Sequence, residues 1–303
     1  MPDRRGASHP SFAPFAVACL GIATYAAMDA LMKGLSIAIG AYSTLFWRLG
    51  IGVLLTAALY ATSRPVRPSN HVIRVHAARS VVVTIMALAF FWGIARVPLA
   101  EAIALSFIAP LIALALAAVF LKERIGRRSL IASTLGIAGV AVILAGRVGG
   151  EHGPETMWGI AAVLVSAAFY AVNLVMARRQ AQLAKPREIA FFQSVFVLAI
   201  LALGVPVFVS VPAAEHWPAL AAAAVLAVVS LLLLSWAYAR AEAQILINVE
   251  YTAFVWAALL GWWVFDEAVT LATLAGTALI VTGCIIAARG AGGPASPEAE
   301  AAA

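Results

Sequence analysis

Charged and amide side chains are rare inside the long apolar runs of this chain, and they fall into two groups. The first group, with the aromatic residues at comparable depth, consists of Tyr25, Asp29, Trp47, Arg48, Trp92 and Glu101. The second group consists of Tyr170, Asn173, Gln193, Trp236, Asn248, Glu250 and Tyr251. An ionised side chain at the centre of an apolar span costs about 2.5–3.5 kcal/mol on insertion scales, so it usually faces a cavity or a partner. The pattern predicts two polar layers, one on each side of a central cavity.

These polar residues also have structural interpretations, which the sequence leaves open. Asp29 and Arg48 carry opposite charges at similar predicted depth, so they form either a structural ion pair or a gate. Glu101 fits the first turn of a helix, where the helix dipole favours an acid. Glu250 is predicted about seven residues into an apolar span, or roughly 10 Å, which is too deep for a helix cap. It would therefore bind substrate, carry a coupling proton or pair with a polar neighbour.

The composition identifies an integral membrane protein. Apolar residues make up 64% of the 303 positions, charged residues make up 11%, and the mean hydropathy is +0.99. A soluble domain is about 45–50% apolar and about 25% charged. The net charge of +6 comes from basic residues in short gaps between apolar runs, so it does not indicate nucleic-acid binding. Cys19 and Cys284 lie inside apolar runs and cannot build a disulfide framework or a metal site, and no cofactor is expected.

Ten apolar runs are each about long enough to cross a bilayer at ~20 residues. They cover residues 12–32, 43–62, 77–95, 98–120, 129–146, 157–177, 188–208, 217–239, 243–264 and 270–288. The tails, residues 1–11 and 290–303, are predicted to be flexible. With ten spans, both tails lie on one side of the membrane. Sixteen basic residues fall in segments on that side and three on the other, which predicts cytoplasmic termini and a bacterial-type inner-membrane location.

A shift of 144 residues aligns the first half of the chain with the second. It takes Asp29 to Asn173, Arg96 to Arg240, Glu123 to Glu267 and Gly139 to Gly283. The two units, residues 12–147 and 156–289, each contain five spans, and an odd number of spans reverses the second unit in the membrane. The predicted fold is an all-α integral membrane protein whose ten transmembrane helices form two inverted five-helix repeats. Such repeats are frequent in secondary transporters, with the substrate site between the halves.

Small residues in the last span of each repeat are predicted to let helices pack closely. They are Ala132, Gly136, Gly139, Gly276 and Gly283. Pro110 lies in the middle of its span, where a proline kinks a helix and frees carbonyl groups. Freed carbonyls are tolerated in a membrane only where protein or a cavity covers them.

Two stretches resemble the EamA-type branch of the drug/metabolite transporter superfamily. They are Phe46-Trp47-Arg48 and PLIALALAAVFLKERI, which begins at Pro110, and with the ten-span hydropathy the resemblance covers about residues 12–288. It implies a secondary carrier that works by alternating access, with export of a small amphipathic metabolite, amino acids first. Uptake of S-adenosylmethionine, riboflavin or a similar metabolite is the alternative. The second half departs from the pattern, because Phe192 replaces Arg48 and Phe254 replaces Pro110.

Other classes of function find less support. An intramembrane enzyme is disfavoured because all five histidines, His76 among them, are predicted to lie in tails or connections, and no HExxH or GxSxG motif is present. No Walker-type loop is present, so ATP is not the direct energy source. A structural membrane subunit would not explain two polar layers. The expected partners are the bilayer and a small-molecule substrate, while proton coupling and the oligomeric state stay open.

Overall fold

A computed structural model describes residues 12–62, 67–113, 116, 127–146, 154–238 and 249–288. Within these ranges the chain forms helices and no strand. The helices of eight residues or more are α1 (Phe12–Ile39), α2 (Ala41–Ala61), α3 (Asn70–Ile94), α4 (Leu99–Ser106), α5 (Arg127–Ala145), α6 (Pro154–Ala181), α7 (Pro186–Ala202), α8 (Trp217–Tyr238), α9 (Thr252–Phe265) and α10 (Leu271–Ala288). A four-residue helix, Val205–Phe208, and a 3-10 turn, Ala214–His216, lie between α7 and α8.

Five helices are long and apolar enough to cross a membrane by themselves. They are Ala13–Ile39, Ala41–Ala61, Asn70–Ile94, Pro154–Ala177 and Ala214–Ala237. The shorter apolar helices are Leu99–Ala113, Leu130–Ala145, Thr252–Phe265 and Leu271–Ile286. The architecture is therefore an all-helical, multi-pass membrane fold, while the count of ten spans remains a prediction. Both predicted tails and Glu123 lie outside the described residues.

Two helices extend further than the sequence predicts. α1 continues to Ile39 instead of ending near residue 32, and α3 begins at Asn70 instead of near residue 77. The Ser69 hydroxyl caps α3 by accepting a hydrogen bond from the Val72 N–H at 3.4 Å. The prediction that His76 lies in a connection is therefore wrong. Polar residues had been taken as span boundaries, but here they are buried against other helices.

The connections gather at two ends of the bundle. At one end, called the Lys33 end, Lys33 contacts Val97 of the α3–α4 connection and Glu267 of the α9–α10 connection. At the other end, called the His76 end, Thr62 after α2 accepts a hydrogen bond from Arg187 of α7 at 3.3 Å. The α3–α4 and α9–α10 connections therefore lie at the Lys33 end, and the end of α2 lies beside the start of α7 at the His76 end.

The contacts between helices repeat when each helix is replaced by its counterpart in the other half, so that α1 exchanges with α6, α2 with α7, α3 with α8 and so on. α1 packs against α8, and α6 packs correspondingly against α3. α3 packs against α7, and α8 packs against α2. α2 with α7, α4 with α9, and α5 with α10 are each a helix and its own counterpart. Exchange of partners is the pattern expected from two equivalent halves that pack against each other.

The contact between α5 and α10 is close and antiparallel. A methyl group added at Gly139 would lie 2.5 Å from the carbonyl oxygen of Gly276, and one added at Gly283 would lie 2.7 Å from that of Ala132. The shift of 144 residues exchanges these two contacts. Because a later residue of α5 meets an earlier residue of α10, the helices run in opposite directions. The predicted close packing of these small residues is confirmed.

α4 is interrupted before Pro110. It ends at Ser106, Phe107 and Ile108 form a turn, and residues 109–113 are helical again. Proline has no N–H to donate to the Ser106 carbonyl, and the Leu111 N–H bonds to Ile108 instead of Phe107, at 3.0 Å. The freed Phe107 carbonyl accepts a hydrogen bond from the Cys284 thiol at 3.3 Å. The predicted distortion is therefore present, and α10 covers it.

The second half has an interruption at the equivalent position. Residues 249–250 are helical, Tyr251 is a turn, and α9 follows. The shift of 144 residues takes Phe107 to Tyr251, and the two rings make an edge-to-face contact with centroids 5.4 Å apart. The interruptions of the two halves therefore meet each other inside the bundle.

Candidate functional site

Asp29 is buried deep in α1, with 1% of its surface exposed. Because α1 continues to Ile39, Asp29 lies about ten residues, or roughly 15 Å, from the helix end, instead of the predicted four residues. Its Oδ1 atom has no hydrogen-bond partner in the part of the chain that the structure describes. Buried polar atoms are nearly always hydrogen-bonded, so an exception inside a membrane helix marks a candidate functional site.

Arg48 lies on the neighbouring helix α2, about seven residues, or roughly 10 Å, after Ala41. Its Nε atom is buried and, like Asp29 Oδ1, lacks a hydrogen-bond partner among the described residues. The charges of Asp29 and Arg48 interact. No ion pair within 4.0 Å joins the two side chains. The two side chains therefore form no direct ion pair, and a gating role for them stays a prediction.

Tyr25 lies one turn before Asp29, and its hydroxyl interacts electrostatically with Arg48. Its side chain is 45% exposed, so it lies at the edge of the Asp29 and Arg48 pair instead of beneath it. These three residues from the first predicted layer come together in the structure.

The two tryptophans of the first layer support connections at the Lys33 end. Trp47 donates its indole N–H to the carbonyl oxygen of Ser210 at 2.9 Å, and its ring contacts Trp217 edge-on. The guanidinium of Arg96 lies over the ring of Trp92, with its central carbon 3.5 Å from the ring centroid. Neither contact involves the charged pair, so both tryptophans position helix ends.

A polar cluster closes the Lys33 end. Lys33 forms an ion pair with Glu267 and donates to the carbonyl oxygen of Val97 at 2.6 Å. Glu267 also accepts a hydrogen bond from the Leu99 N–H at 2.7 Å, which caps α4. Glu101 occupies the first turn of α4, as predicted, and its charge interacts with Lys33. Lys33 directly follows the apolar run predicted for residues 12–32; it lies in α1, which continues to Ile39, and joins that helix to the second half.

A cavity of about 270 Å³ opens beside this cluster. Its lining consists of Lys33, Ile37, Ala95, Arg96, Val97, Pro98, Phe265 and Glu267. The cavity includes neither Asp29 nor Arg48, so it lies nearer to the surface than the charged pair.

Polar residues at the His76 end form a continuous chain of hydrogen bonds. Arg79 donates from Nε to Asn173 Oδ1 at 2.8 Å and from its terminal nitrogen to Gln180 Oε1. The Gln180 amide nitrogen lies 2.5 Å from His76 Nδ1. His76 Nε2 lies 3.3 Å from a carboxylate oxygen of Glu188. This chain joins α3 of the first half to α6 and α7 of the second.

The sequence predicted only Asn173 from this chain. His76 was predicted to lie in a connection, Arg79 falls near the start of the run 77–95, Gln180 falls between two runs, and Glu188 begins the run 188–208. A signal was available in Ser69, because a serine followed by a helical run indicates an N-cap. A helix that begins there puts His76 and Arg79, three residues apart, on one face.

The remaining residues of the second layer are dispersed. Tyr170 lies one turn before Asn173, and its hydroxyl interacts electrostatically with Arg79. Gln193 is half-buried on α7. Trp236 is 38% exposed on α8. Asn248 lies outside the described residues.

Glu250 and Tyr251 lie at the interruption before α9. Glu250 is half-buried, and its charge interacts with Tyr251 and Cys284. The turn at Tyr251 follows Glu250 directly, so the helix is interrupted there, and the depth of Glu250 in its span stays a prediction. An interrupted helix exposes backbone groups to a neighbouring cavity, which is how many carriers build a binding site near the middle of the membrane.

The arrangement as a whole supports binding rather than chemistry. Within the described ranges, no group of three His, Cys, Asp or Glu side chains could hold a metal ion. Opposite charges lie buried between helices, and polar clusters connect the two halves at both ends. These features define the class of a multi-pass membrane carrier.

The chain belongs to the EamA-like transporter family, whose family model matches residues 14–145 and again residues 157–289. The match agrees with the resemblance to the drug/metabolite transporter superfamily. Because this family consists of transporters, the chain is a membrane transporter with a small-molecule substrate, not an enzyme.

Individual relatives agree with the family. The pseudopaline exporter CntI of Pseudomonas aeruginosa is 28% identical over 277 residues, which cover 90% of this chain and 95% of that protein. An uncharacterized transporter of Helicobacter pylori is 29% identical over 216 residues, covering 70% of this chain and 72% of that protein. A solved structure described only as a crystal structure of a protein aligns with a TM-score of 0.61 at 22% identity, over 92% of this chain and 98% of that one. This last similarity concerns the fold.

Proposed function

We propose that this protein exports small zwitterionic metabolites, amino acids first, across the cytoplasmic membrane. The observation that carries the proposal is the charged pair, in which the buried Asp29 and the half-buried Arg48 interact electrostatically without a direct hydrogen bond. A substrate ammonium would bind the Asp29 carboxylate, and a substrate carboxylate would bind the Arg48 guanidinium in bidentate geometry. A ligand with both groups satisfies both charges together, whereas a ligand with one leaves the other charge uncompensated.

The transport cycle we propose is alternating access between inverted halves. The exchange of helix partners and the antiparallel contact of α5 with α10 support two inverted units, residues 12–147 and 156–289. Each end carries a polar cluster between the halves, Lys33 with Glu267 at one and Arg79 with Gln180 at the other. We assign the gates to these two clusters, because a carrier must break the contacts of each end in turn. The charged pair is then the binding site between the gates.

The direction of transport rests on the exporter CntI, which matches over nearly the whole chain. The orientation rests on the basic residues, which are concentrated in segments of the His76 end. We therefore assign the His76 end and both termini to the cytoplasm. The alternative is uptake of S-adenosylmethionine, riboflavin or a similar metabolite, and the direction of net flux in intact cells separates the two.

Single cysteines test the orientation. Gln182 at the His76 end and Glu215 at the Lys33 end are both exposed. In intact cells an impermeant thiol reagent should label a cysteine at position 215 and leave one at position 182 unlabelled until the membrane is opened. The reverse pattern would contradict the assignment.

Counterflow in proteoliposomes tests the substrate class. Leucine, the amine that lacks its carboxylate and the acid that lacks its ammonium group share one side chain, so each analogue carries only one of the two charged groups. Labelled leucine should exchange, while the amine and the acid should not. Exchange of riboflavin without leucine, or equal exchange of all three compounds, would contradict a zwitterion site.

A further inference from the structure

We propose that His76 is a proton-binding site and that its protonation releases α3 from α6 at the His76 end. Its role in coupling transport to protons rests on the carrier function proposed above. The site is built from three side chains in fixed hydrogen-bond order, Arg79, Gln180 and His76. His76 is fully buried, so a change in the protonation of its ring must be accommodated by the side chains that contact it.

The direction of each hydrogen bond follows from the chemistry of arginine. The Arg79 guanidinium has donors and no acceptor, so it must face the carbonyl oxygen of the Gln180 amide. The amide nitrogen of Gln180 then points at His76 Nδ1, 2.5 Å away, and donates to it. Nδ1 must therefore be an acceptor. The neutral ring carries its hydrogen on Nε2, where it faces the Glu188 carboxylate at 3.3 Å.

A second proton on His76 would have to bind at Nδ1. A protonated Nδ1 is a donor, and it would meet the donating amide nitrogen of Gln180. Rotation of the amide does not relieve this conflict, because it would turn the amide nitrogen toward the Arg79 donors. Protonation therefore breaks the bond of Gln180 to His76 or its bond to Arg79. Both bonds join α3 to α6, and thus the first half to the second.

The surroundings contain the groups that a proton site needs. Glu188 of α7 is 17% exposed, so it borders the solution and offers a negative charge to an imidazolium. Phe192 of the same helix stacks on the ring with centroids 5.1 Å apart and holds its plane. The positive charge of Arg79, on α3 together with His76, disfavours protonation of the His76 ring. The hydroxyl of Tyr60 on α2 interacts with Glu188.

Among the described side chains, Glu188 and Arg79 are the charged groups that act on the His76 ring. On α6, Gln180 faces the ring, while Tyr170 lies near Arg79. The charged side chains of α1 and α4 lie toward the opposite end, where Lys33 contacts Val97.

A distance measurement tests the proposal without any substrate. Spin labels are placed on cysteines at His71, in the first turn of α3, and at Gln182, just after α6, both exposed, with Cys19 and Cys284 replaced by alanine. The protein in nanodiscs is titrated between about pH 8 and pH 5, where histidine changes its charge. In the parent, a population with a longer distance should grow as the pH falls.

Three variants decide which group is responsible. His76→Gln keeps an acceptor toward Gln180 and cannot take a proton, so its distance should not depend on pH. Glu188→Gln should keep the pH-dependent change. Gln180→Met removes the hydrogen bonds from Gln180 to Arg79 and His76, so the longer distance should predominate at every pH. This variant serves as the test if His76→Gln fails to fold. The proposal is overturned if the distance in the parent does not depend on pH. It is also overturned if the distance in His76→Gln or Gln180→Met depends on pH as in the parent, or if the distance in Glu188→Gln does not depend on pH.

Flux separates this inference from the proposed function. Leucine counterflow of the parent, at equal pH on both sides, should become faster as that pH falls, whereas in His76→Gln it should stay near the parental rate at pH 8 and accumulation driven by a pH gradient should be lost. If the parent carries no leucine and the distance still changes through His76, the proposed substrate is wrong and the proton site stands. If leucine exchanges and the distance is constant, the carrier function stands and the proton site is wrong.

Discussion

Asp29 and Asn173 occupy equivalent positions in the two halves, yet their surroundings differ. Asn173 on α6 accepts a hydrogen bond from Arg79 of α3. The shift of 144 residues takes Arg79 to Ala223 on α8. The methyl side chain of Ala223 cannot donate a hydrogen bond to Asp29. One position is therefore closed by a bond between the halves, and the other keeps an unpartnered carboxylate oxygen.

The two half-buried arginines, Arg48 and Arg79, show the same difference. Arg79 donates to two amide oxygens, those of Asn173 and Gln180, whereas Arg48 leaves a buried donor unused. The equivalent of Arg48 is Phe192, which packs on His76. The comparison teaches that a duplicated fold can form a contact between its halves at one position and lack that contact at the equivalent position, which is where we propose that substrate binds.

The largest expected effect is on transport. Arg48→Gln should lower the rate of zwitterion exchange about 10- to 100-fold, because a charge-assisted hydrogen bond contributes about 1.5–3 kcal/mol. Membrane abundance should stay near that of the parent. Arg74→Gln, on an exposed arginine of α3, is the matched control and should exchange at the parental rate. Parental exchange by Arg48→Gln would place the site elsewhere.

The next effect is on stability, and it should distinguish the two arginines. Arg79→Leu leaves the oxygens of Asn173 and Gln180 without their donor, so the free energy of unfolding should fall by about 2–4 kcal/mol. Arg48→Leu removes a guanidinium whose buried Nε atom already lacks a partner, so its change should be the smaller one, below about 1 kcal/mol. Denaturation in detergent measures both. Equal losses would contradict the distinction between a structural and a binding arginine.

A smaller effect is expected where the two repeats pack. Gly139→Ala would force a methyl group against the Gly276 backbone, so the free energy of unfolding should fall by about 1–3 kcal/mol. Gly52→Ala on α2 meets nothing within 4 Å, so it should be neutral or stabilising, by up to about 1 kcal/mol. If both substitutions had the same effect, the close contact of α5 and α10 would be in doubt.

The smallest effect is the coupling within each pair, measured by double-mutant cycles on stability. Asp29→Asn with Arg48→Gln should show a coupling below about 0.5 kcal/mol, because no direct bond joins the side chains. Arg79→Leu with Asn173→Leu should show about 1–2 kcal/mol. A stronger coupling between Asp29 and Arg48 would restore the interpretation as a structural ion pair.

The sequence predicted much of the fold because apolar runs and small residues act locally. The kink before Pro110 follows from the missing N–H, and the close approach at Gly139 follows from its missing side chain. The ends of α1 and α3 could not be predicted in this way. Lys33 and His76 look like boundary residues in a hydropathy profile, and only partners from distant helices make their burial favourable.

The candidate site was predicted in part. Opposite charges in adjacent spans identified Asp29 and Arg48, and the structure brings their charges within interaction range. Their lack of a direct bond depends on helix placement, which no local pattern encodes. The chain of bonds from Arg79 to Glu188 needs three helices, so the sequence indicated only Asn173.

The central claim is that Asp29 binds the ammonium and Arg48 the carboxylate of one substrate. The most direct measurement is inhibition of leucine counterflow by unlabelled leucine, its amine and its acid, in Asp29→Asn and in Arg48→Gln. The account predicts a crossed pattern. Arg48→Gln should lose its preference for leucine over the amine, and Asp29→Asn should lose its preference for leucine over the acid. If both variants lost the same preference, or neither lost any, the pair would not be the substrate site.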